Sequence, residues 1–425
     1  MKSNLIELKE HFSFKENLAQ KIAKNHKKMT EWFKDYECNH PYQLTTSLDV
    51  RDSGYKIVPV DCNLYPAGFN NLCAEDLRTA PQIISNSASQ YGRNVLILSE
   101  ENTRNQFYIQ SLFQLSDLMR EAGFNPVLGW LGPLQENSLM LTAHDSTTRV
   151  TYPLKFNLET KDYYVSVAEN EQFTPDWLLL NHDLSGGCPE ILSVNANQPV
   201  IPSAKFGWYQ RTKSQHFHIY NKLAAELANL CSIDPWVFTV DTEEVDAVDL
   251  NQDLGLERVA EKVGLILKKS KSSHVERNIP YKPFVYVKNN AGTYGMGIQV
   301  FHSVEEVTQM NRREKNKLSV GKNKSAIHSL VVQEGVPTNI LIDRLVAEPV
   351  VYLFRGKLIG GFFRAHEAKS NEENLNSQGV VFRKMCMTDA SALETGELTK
   401  DSVYETVYGT IGKLSALAAA QEKMK

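Results

Sequence analysis

The chain has 425 residues, with 46 Lys+Arg against 50 Asp+Glu for a formal net charge of −4, a length that implies two or three domains at roughly 100–200 residues each. The slightly acidic balance excludes a bulk polyanion binder with a basic stripe, so nucleic acid is not an expected partner. No stretch reaches the roughly 18 consecutive apolar residues of a membrane span, and Met1 to Phe14 lacks the apolar run of a secretory signal, so no membrane association is expected. The six cysteines are scattered without a C-x-x-C pair, so neither a zinc ribbon nor a disulfide framework is expected, and a reducing cytoplasm fits best.

In chain order, Leu5 to Tyr36 has the spacing of one or two charged surface helices. Tyr55 to Asp61 reads as a short strand that ends in a loop at Asp61-Cys62-Asn63. Asn94 to Leu98 is a buried strand, Thr103 to Ala122 a helix capped by Gly123, and Pro126 to Leu131 a second strand, which together make a βαβ unit and imply a parallel sheet. Residues 138–166 read as an antiparallel excursion, and Trp177 to Asn181 as another buried strand running into the Gly186-Gly187 loop. Helices follow at Ser214 to Leu230 and at Leu256 to Leu267, the latter ending in a lysine run. Beyond them the grammar becomes antiparallel, with strands at Phe284–Lys288, Ser329–Glu334, Glu348–Phe354, Lys357–Arg364 and Gly379–Met387, and a closing helix from about Lys400 to Met424. The fold class is therefore α/β, turning to α+β in the C-terminal part. Residues 311–326 read as a polar, low-complexity stretch.

The sharpest chemical signal is Lys288 on a strand, followed by Gly292, Gly295 and Gly297 in the tip of a hairpin. Glycines let the backbone approach a ligand and aim amide N–H groups at phosphate oxygens, while the lysine supplies a cation. The segment is neither a P-loop nor a Rossmann fingerprint, and standing alone it is as well explained as a flexible hairpin tip. It is followed by Gln333-Glu334-Gly335-Val336, a strand that breaks into a hinge, then by a hairpin with Glu348 opening its first strand and Arg364 closing its second, then by a polar loop containing Asn374 and Asn376.

In this order the pieces resemble the C-terminal half of an ATP-grasp ligase. That resemblance implies that Gln333, Glu334 and Val336 form the adenine hinge, that Arg364 points inward as a catalytic cation, and that a second lysine upstream reaches the phosphates. Lys222 matches the last, with Lys213 as the alternative; on a helix Lys222 lies opposite the apolar stripe, where a lysine is ordinarily solvated. Asp61 and Asn63, at i and i+2 on a strand, project from one face toward one ion. This placement looks like the circularly permuted layout of eukaryotic-type glutathione synthetases. The runs Ser47 to Asp52 and Val58 to Leu72, together with Lys288 to Gly297 and Glu348 to Arg364, resemble the proteobacterial glutamate-cysteine ligase family over nearly the whole chain.

The resemblance implies ATP with Mg²⁺ or Mn²⁺, L-glutamate and L-cysteine as substrates, and a γ-glutamyl phosphate intermediate; a homo-oligomer is left open. It divides the chain into an N-terminal segment 1–90 that joins the ATP-grasp core, an α/β domain 91–205, and a nucleotide-binding domain 206–425. It assigns Asp61 and Asn63 to the metal. The third metal ligand of glutathione synthetases falls at Gly292, so Glu348 is taken as its substitute, with a salt bridge as the alternative. Asn70, Asn71, Asn374 and Asn376 are assigned to substrate, and Arg51 to the α-carboxylate of glutamate, the alternative being local pairing with Asp49 or Asp52. The rival functions are a glutathione synthetase or another carboxylate-amine ligase, and a non-catalytic nucleotide-binding regulator. His216 and His218, about 200° apart on a helix, do not form a metal pair, and Cys62, facing away from Asp61 and Asn63, reads as core. The loop Asn181 to Cys188 is either an ordinary tight loop or part of the substrate cleft.

Overall fold

Near-continuous apolar runs form strands buried on both faces, and here they build a parallel sheet. Strands are numbered in chain order. β3 (Asn94–Ser99), β4 (Asn125–Trp130) and β10 (Trp177–Asn181) pair in parallel in a sheet of order β11-β10-β3-β4-β6-β5, where β5 is Leu139–Thr142, β6 Thr148–Pro153 and β11 Val200–Ile201. The computed structural model describes residues 2–65, 67–101, 104–132, 134, 136–291, 297–320, 327–387 and 400–424, and side chains from residue 13 onward apart from 400 and 401. Helix Gln106–Glu121 crosses between β3 and β4 as the βαβ pattern requires. The antiparallel excursion is β5 and β6 plus a small sheet of β7 (Lys155–Asn157), β8 (Asp162–Ala168) and β9 (Glu171–Phe173).

A second, antiparallel sheet joins residues from distant parts of the chain. Its order is β19-β18-β17-β1-β2, with β1 at Thr45–Asp52, β2 at Ile57–Asn63, β17 at Leu345–Phe354, β18 at Lys357–His366 and β19 at Val380–Met385; β16 (Ile340–Ile342) adds to β17. The period-two rule explains its burial on both sides. Val350, Tyr352 and Phe354 of β17 pack with Val95, Ile97 and Leu112 of the parallel-sheet layer. Val351 and Leu353 between them pack with Phe217 and Ile411, from the helices Lys213–Leu230 and Lys400–Gln421. The third sheet, β12 (Thr242–Val245), β15 (Leu330–Glu334), β13 (Val285–Asn289) and β14 (Ile298–Phe301), rests on the helix Leu256–Glu276.

Several elements differ from expectation for identifiable reasons. β1 carries too few apolar residues to read as a strand in sequence, and two of its charged residues are buried and paired with other elements, Arg51 with Glu348 and Asp52 with Lys15. Helix Leu256–Glu276 runs through the lysine run, since Ile266, Ser270 and His274 continue its buried face while Lys268, Lys269 and Lys271 are exposed. The polar stretch contains a helix, Arg312–Ser319, opened by a capping box between Asn311 and Glu314. Against the expectation of free cysteines, Cys73 and Cys386 form a disulfide across 313 residues. Among the described residues no helix is long and apolar enough to cross a membrane.

Candidate functional site

The antiparallel sheet meets the carboxyl ends of β3 and β10 around a cavity of about 260 Å³. Glu100 and Asp183, just past those two strands, form one wall, at the edge where parallel sheets place their ligands. The loop after β10, read from sequence as cleft or plain turn, thus contributes Asp183 to the cavity. Asp49 from β1, Asp61 and Asn63 from β2, and Arg364 from β18 form the opposite wall.

Asp49 lies directly opposite Asp61 in the β1–β2 register, which puts their Cβ atoms roughly 4.5–5.5 Å apart. Asn63, two residues beyond Asp61, shares its face. Two carboxylates and an amide oxygen are hard donors suited to a divalent cation. Among the described residues no three His, Cys, Asp or Glu side chains form a ready-made metal centre. Lys213 Nζ donates to Asp61 Oδ1 and lies 4.4 Å from the centre of the Trp208 ring. Burial pushes the Asp61 carboxyl up, but Lys213 and Lys288 outweigh it and hold the group below its usual value. Asp49 escaped the sequence reading because cross-strand register is invisible until β1 is paired.

Lys288 is buried and donates to the Val60 carbonyl at 2.6 Å and to Gln333 Oε1 at 2.7 Å. Desolvation, with the Lys213 charge nearby, drives its pKa down to about 7. The two lysines that converge on β2 are therefore Lys288 and Lys213. Lys222 is exposed and nine residues further along the helix, roughly 13 Å at 1.5 Å per residue. The apolar stripe of Phe217, Tyr220 and Leu227 turns inward and leaves Lys222 on the solvent side.

Arg364 Nη1 donates to Asp49 Oδ2 at 2.7 Å and to Glu348 Oε1 at 3.0 Å, and its Nε is buried without a partner. The other Glu348 oxygen pairs with Arg51 Nε at 2.9 Å. With both oxygens held by guanidinium groups, Glu348 sits behind Arg364 as a counter-ion and not as the expected metal ligand. Arg51, 3% exposed, pairs with neither Asp49 nor Asp52. It donates to the carbonyls of Asn371 and Glu373 at 3.0 and 2.7 Å, so it ties down the loop before Asn374 and does not line the cavity.

Asn70 and Asn71 line the cavity, and Asn70 Oδ1 is buried without a partner. Their loop is held at Gly68, whose N–H donates to Ser111 Oγ at 2.7 Å. Gly68 has φ +104°, and a Cβ there would lie 2.9 Å from Tyr352 Oη, so glycine is required twice over. Asn376 also lines the cavity, while Asn374 Oδ1 accepts from the Asn376 N–H at 3.0 Å and shapes that loop. At the hinge, Glu334 is buried against Lys56 Nζ at 2.7 Å, Gln333 is held between Lys288 and Thr242, and Val336 packs in the core. Gly292 and Gly295 lie outside the described residues; Gly297, at φ +66°, leads into β14.

The family model described as glutamate-cysteine ligase (GshA) matches residues 19–423. A solved structure of a proposed gamma-glutamylcysteine synthetase from Methylobacillus flagellatus KT is 32% identical, with 95% of each chain covered and a TM-score of 0.84. Much more distant are D-alanyl-alanine synthetase A from Vibrio cholerae O1 biovar eltor, at 12% identity, TM-score 0.32 and coverage of 75% of this chain and 80% of that one, and a glutathione synthetase-like effector from Globodera pallida, at 11% identity, TM-score 0.39 and coverage of 90% and 84%. No curated protein is significantly similar to the chain. With a family match that runs almost from end to end and a solved relative of the same fold at this identity, the chain belongs to the glutamate-cysteine ligase family.

Proposed function

We propose that this ligase joins the γ-carboxylate of L-glutamate to the amine of L-cysteine through γ-glutamyl phosphate, with Lys213, Lys288, Asp61, Asn63 and Asp49 as the phosphate and metal end of an ATP-grasp site. The observation that carries the reading is the convergence of Lys288 and Lys213 on the strand bearing Asp61 and Asn63. A carboxylate is a poor electrophile. Transfer of the ATP γ-phosphoryl group to its oxygen releases ADP and leaves an acyl phosphate; the cysteine amine then attacks the carbonyl carbon and phosphate departs. Mg²⁺ or Mn²⁺ held by Asp61 and Asn63, with Asp49 beside them, would neutralise charge on the phosphates. Lys288 and Lys213 add fixed cations, the glycine loop adds backbone amides, and Gln333 to Val336 supply the adenine hinge. Arg364, whose side chain lines the cavity, is suited to the acyl phosphate oxygens. The amides of Asn70, Asn71 and Asn376 are left to hold the amino-acid backbone, and the reading keeps a cytoplasmic setting and the three-part division of the chain.

A coupled ADP-release assay over glutamate, cysteine, γ-glutamylcysteine and glycine tests it. Release with glutamate plus cysteine is expected. Release only with γ-glutamylcysteine plus glycine would make the protein a glutathione synthetase, and none with any pair a nucleotide-binding regulator. Lys213→Ala is expected to abolish turnover and Lys222→Ala to leave it unchanged; the reverse would move the second phosphate lysine back to Lys222.

A further inference from the structure

β2 is the edge of its sheet, so backbone groups it turns away from β1 have no ladder partner. Two buried cations take successive carbonyls on that side. Val60 O accepts from Lys288 Nζ, and Cys62 O, two residues on, accepts from Arg211 Nη1, both at 2.6 Å. The Arg211 contact therefore falls on the residue between Asp61 and Asn63. Arg211 is itself gripped: its Nε and Nη2 donate to the two oxygens of Glu422 at 2.6 and 2.8 Å. His216 Nδ1 lies 2.7 Å from the same carboxylate. The Arg211, His216 and Glu422 side chains are at most 3% exposed, and none lines the cavity. Glu422 lies just past the helix Lys400–Gln421, and Arg211 and His216 flank the start of the helix Lys213–Leu230.

We propose that Glu422 is a positioning residue for the metal-binding strand: by fixing Arg211 on the Cys62 carbonyl it sets the orientation of Asp61 and Asn63 on either side and keeps the guanidinium off the Asp61 carboxylate. The inference rests on the reading that Asp61 and Asn63 hold the divalent cation. Both halves follow from charge and geometry. A strand's side chains turn with its backbone, so a pinned carbonyl between two ligands limits how far either can rotate. Without Glu422, Arg211 would be left as a buried charge without its counter-ion. The nearest acid along the strand is Asp61, on which Arg211 already acts electrostatically, and an arginine drawn there would compete with the metal. Outer groups that orient ligands typically change metal affinity about 10–100-fold when altered.

The test uses the full chain with a non-hydrolysable ATP analogue and a Mn²⁺ titration followed by electron paramagnetic resonance, with metal-free nucleotide affinity and thermal melting measured alongside. Glu422→Gln is expected to weaken Mn²⁺ about 10–100-fold with nucleotide affinity in the absence of metal unchanged, and Glu422→Asp to recover part of the loss. A folded Glu422→Gln protein that binds Mn²⁺ like the parent while Asp61→Asn does not would overturn the proposal and leave the metal reading standing. Unchanged Mn²⁺ binding in Asp61→Asn would remove the metal from β2 and the proposal with it. If Glu422→Gln does not fold, Arg211→Lys, which keeps the charge but loses the fork, is expected to show the same selective loss of Mn²⁺. Failure of both variants to fold would assign the cluster to stability alone.

Discussion

Lys288 shows how a single buried charge links folding to ligand binding. Its ordinary pKa near 10.4 falls to about 7 in the folded protein, so between those values the unfolded chain binds more protons and stability rises with pH. Below about pH 7 the folded protein carries the desolvated ammonium. Phosphates favour the charged form, so nucleotide binding above pH 7 should take up a proton. Calorimetry at pH 8 in two buffers of different ionisation enthalpy is expected to show uptake, and Lys288→Met to remove it with roughly tenfold or greater loss of affinity, on the order of one charge-assisted hydrogen bond. Uptake that survives Lys288→Met would place the titrating group elsewhere. Arg51 makes the opposite case, a candidate ligand-binding cation that the fold uses for itself. Arg51→Lys should lose the two loop carbonyls and about 2 kcal/mol in a urea titration, and raise the KM values for glutamate and ATP alike. A selective rise in the glutamate KM would return Arg51 to the substrate site.

At the scale of elements, β1 is held by pairs that its sequence does not reveal. Asp52 Oδ2 accepts from Lys15 Nζ and from Tyr408 Oη, each at 2.7 Å, which ties the helix Lys2–Lys24 and the helix Lys400–Gln421 to the strand. Burial pushes the Asp52 carboxyl up, but Lys15 and these hydrogen bonds prevail and hold it below its ordinary value. Its contribution is thus present above about pH 4 and is lost as pH falls through the depressed folded value. Asp52→Asn leaves Lys15 buried and unpaired, at a cost of about 3–5 kcal/mol. Thermal melts from pH 3 to 7 should show the gap between parent and variant widest at neutral pH and closing in acid. A gap that does not change with pH would mean that the loss is one of shape and not of charge.

For the whole molecule, the Cys73–Cys386 disulfide links the loop beyond Asn71 to the end of β19, across 313 residues. Closing so long a loop constrains the unfolded chain and is worth about 2–5 kcal/mol. Reductant or Cys386→Ser should lower the melting temperature to the same value, and a melting temperature that neither changes would show that the pair contributes nothing. The sequence by itself determined what depends on neighbours a few positions apart: the βαβ unit around Gln106–Glu121, the hairpin carrying Lys288, and the shared face of Asp61 and Asn63. Their causes are the 3.6 and 2.0 periodicities and local turn chemistry, which act within one element. The tertiary structure alone decided that Asp49 faces Asp61, that Lys213 and not Lys222 reaches β2, that Glu348 answers two arginines, and that Cys73 meets Cys386. Those outcomes depend on register and on charge pairing between segments as much as 315 residues apart, where burial leaves an unpaired ion so costly that partners are chosen by packing and not by spacing.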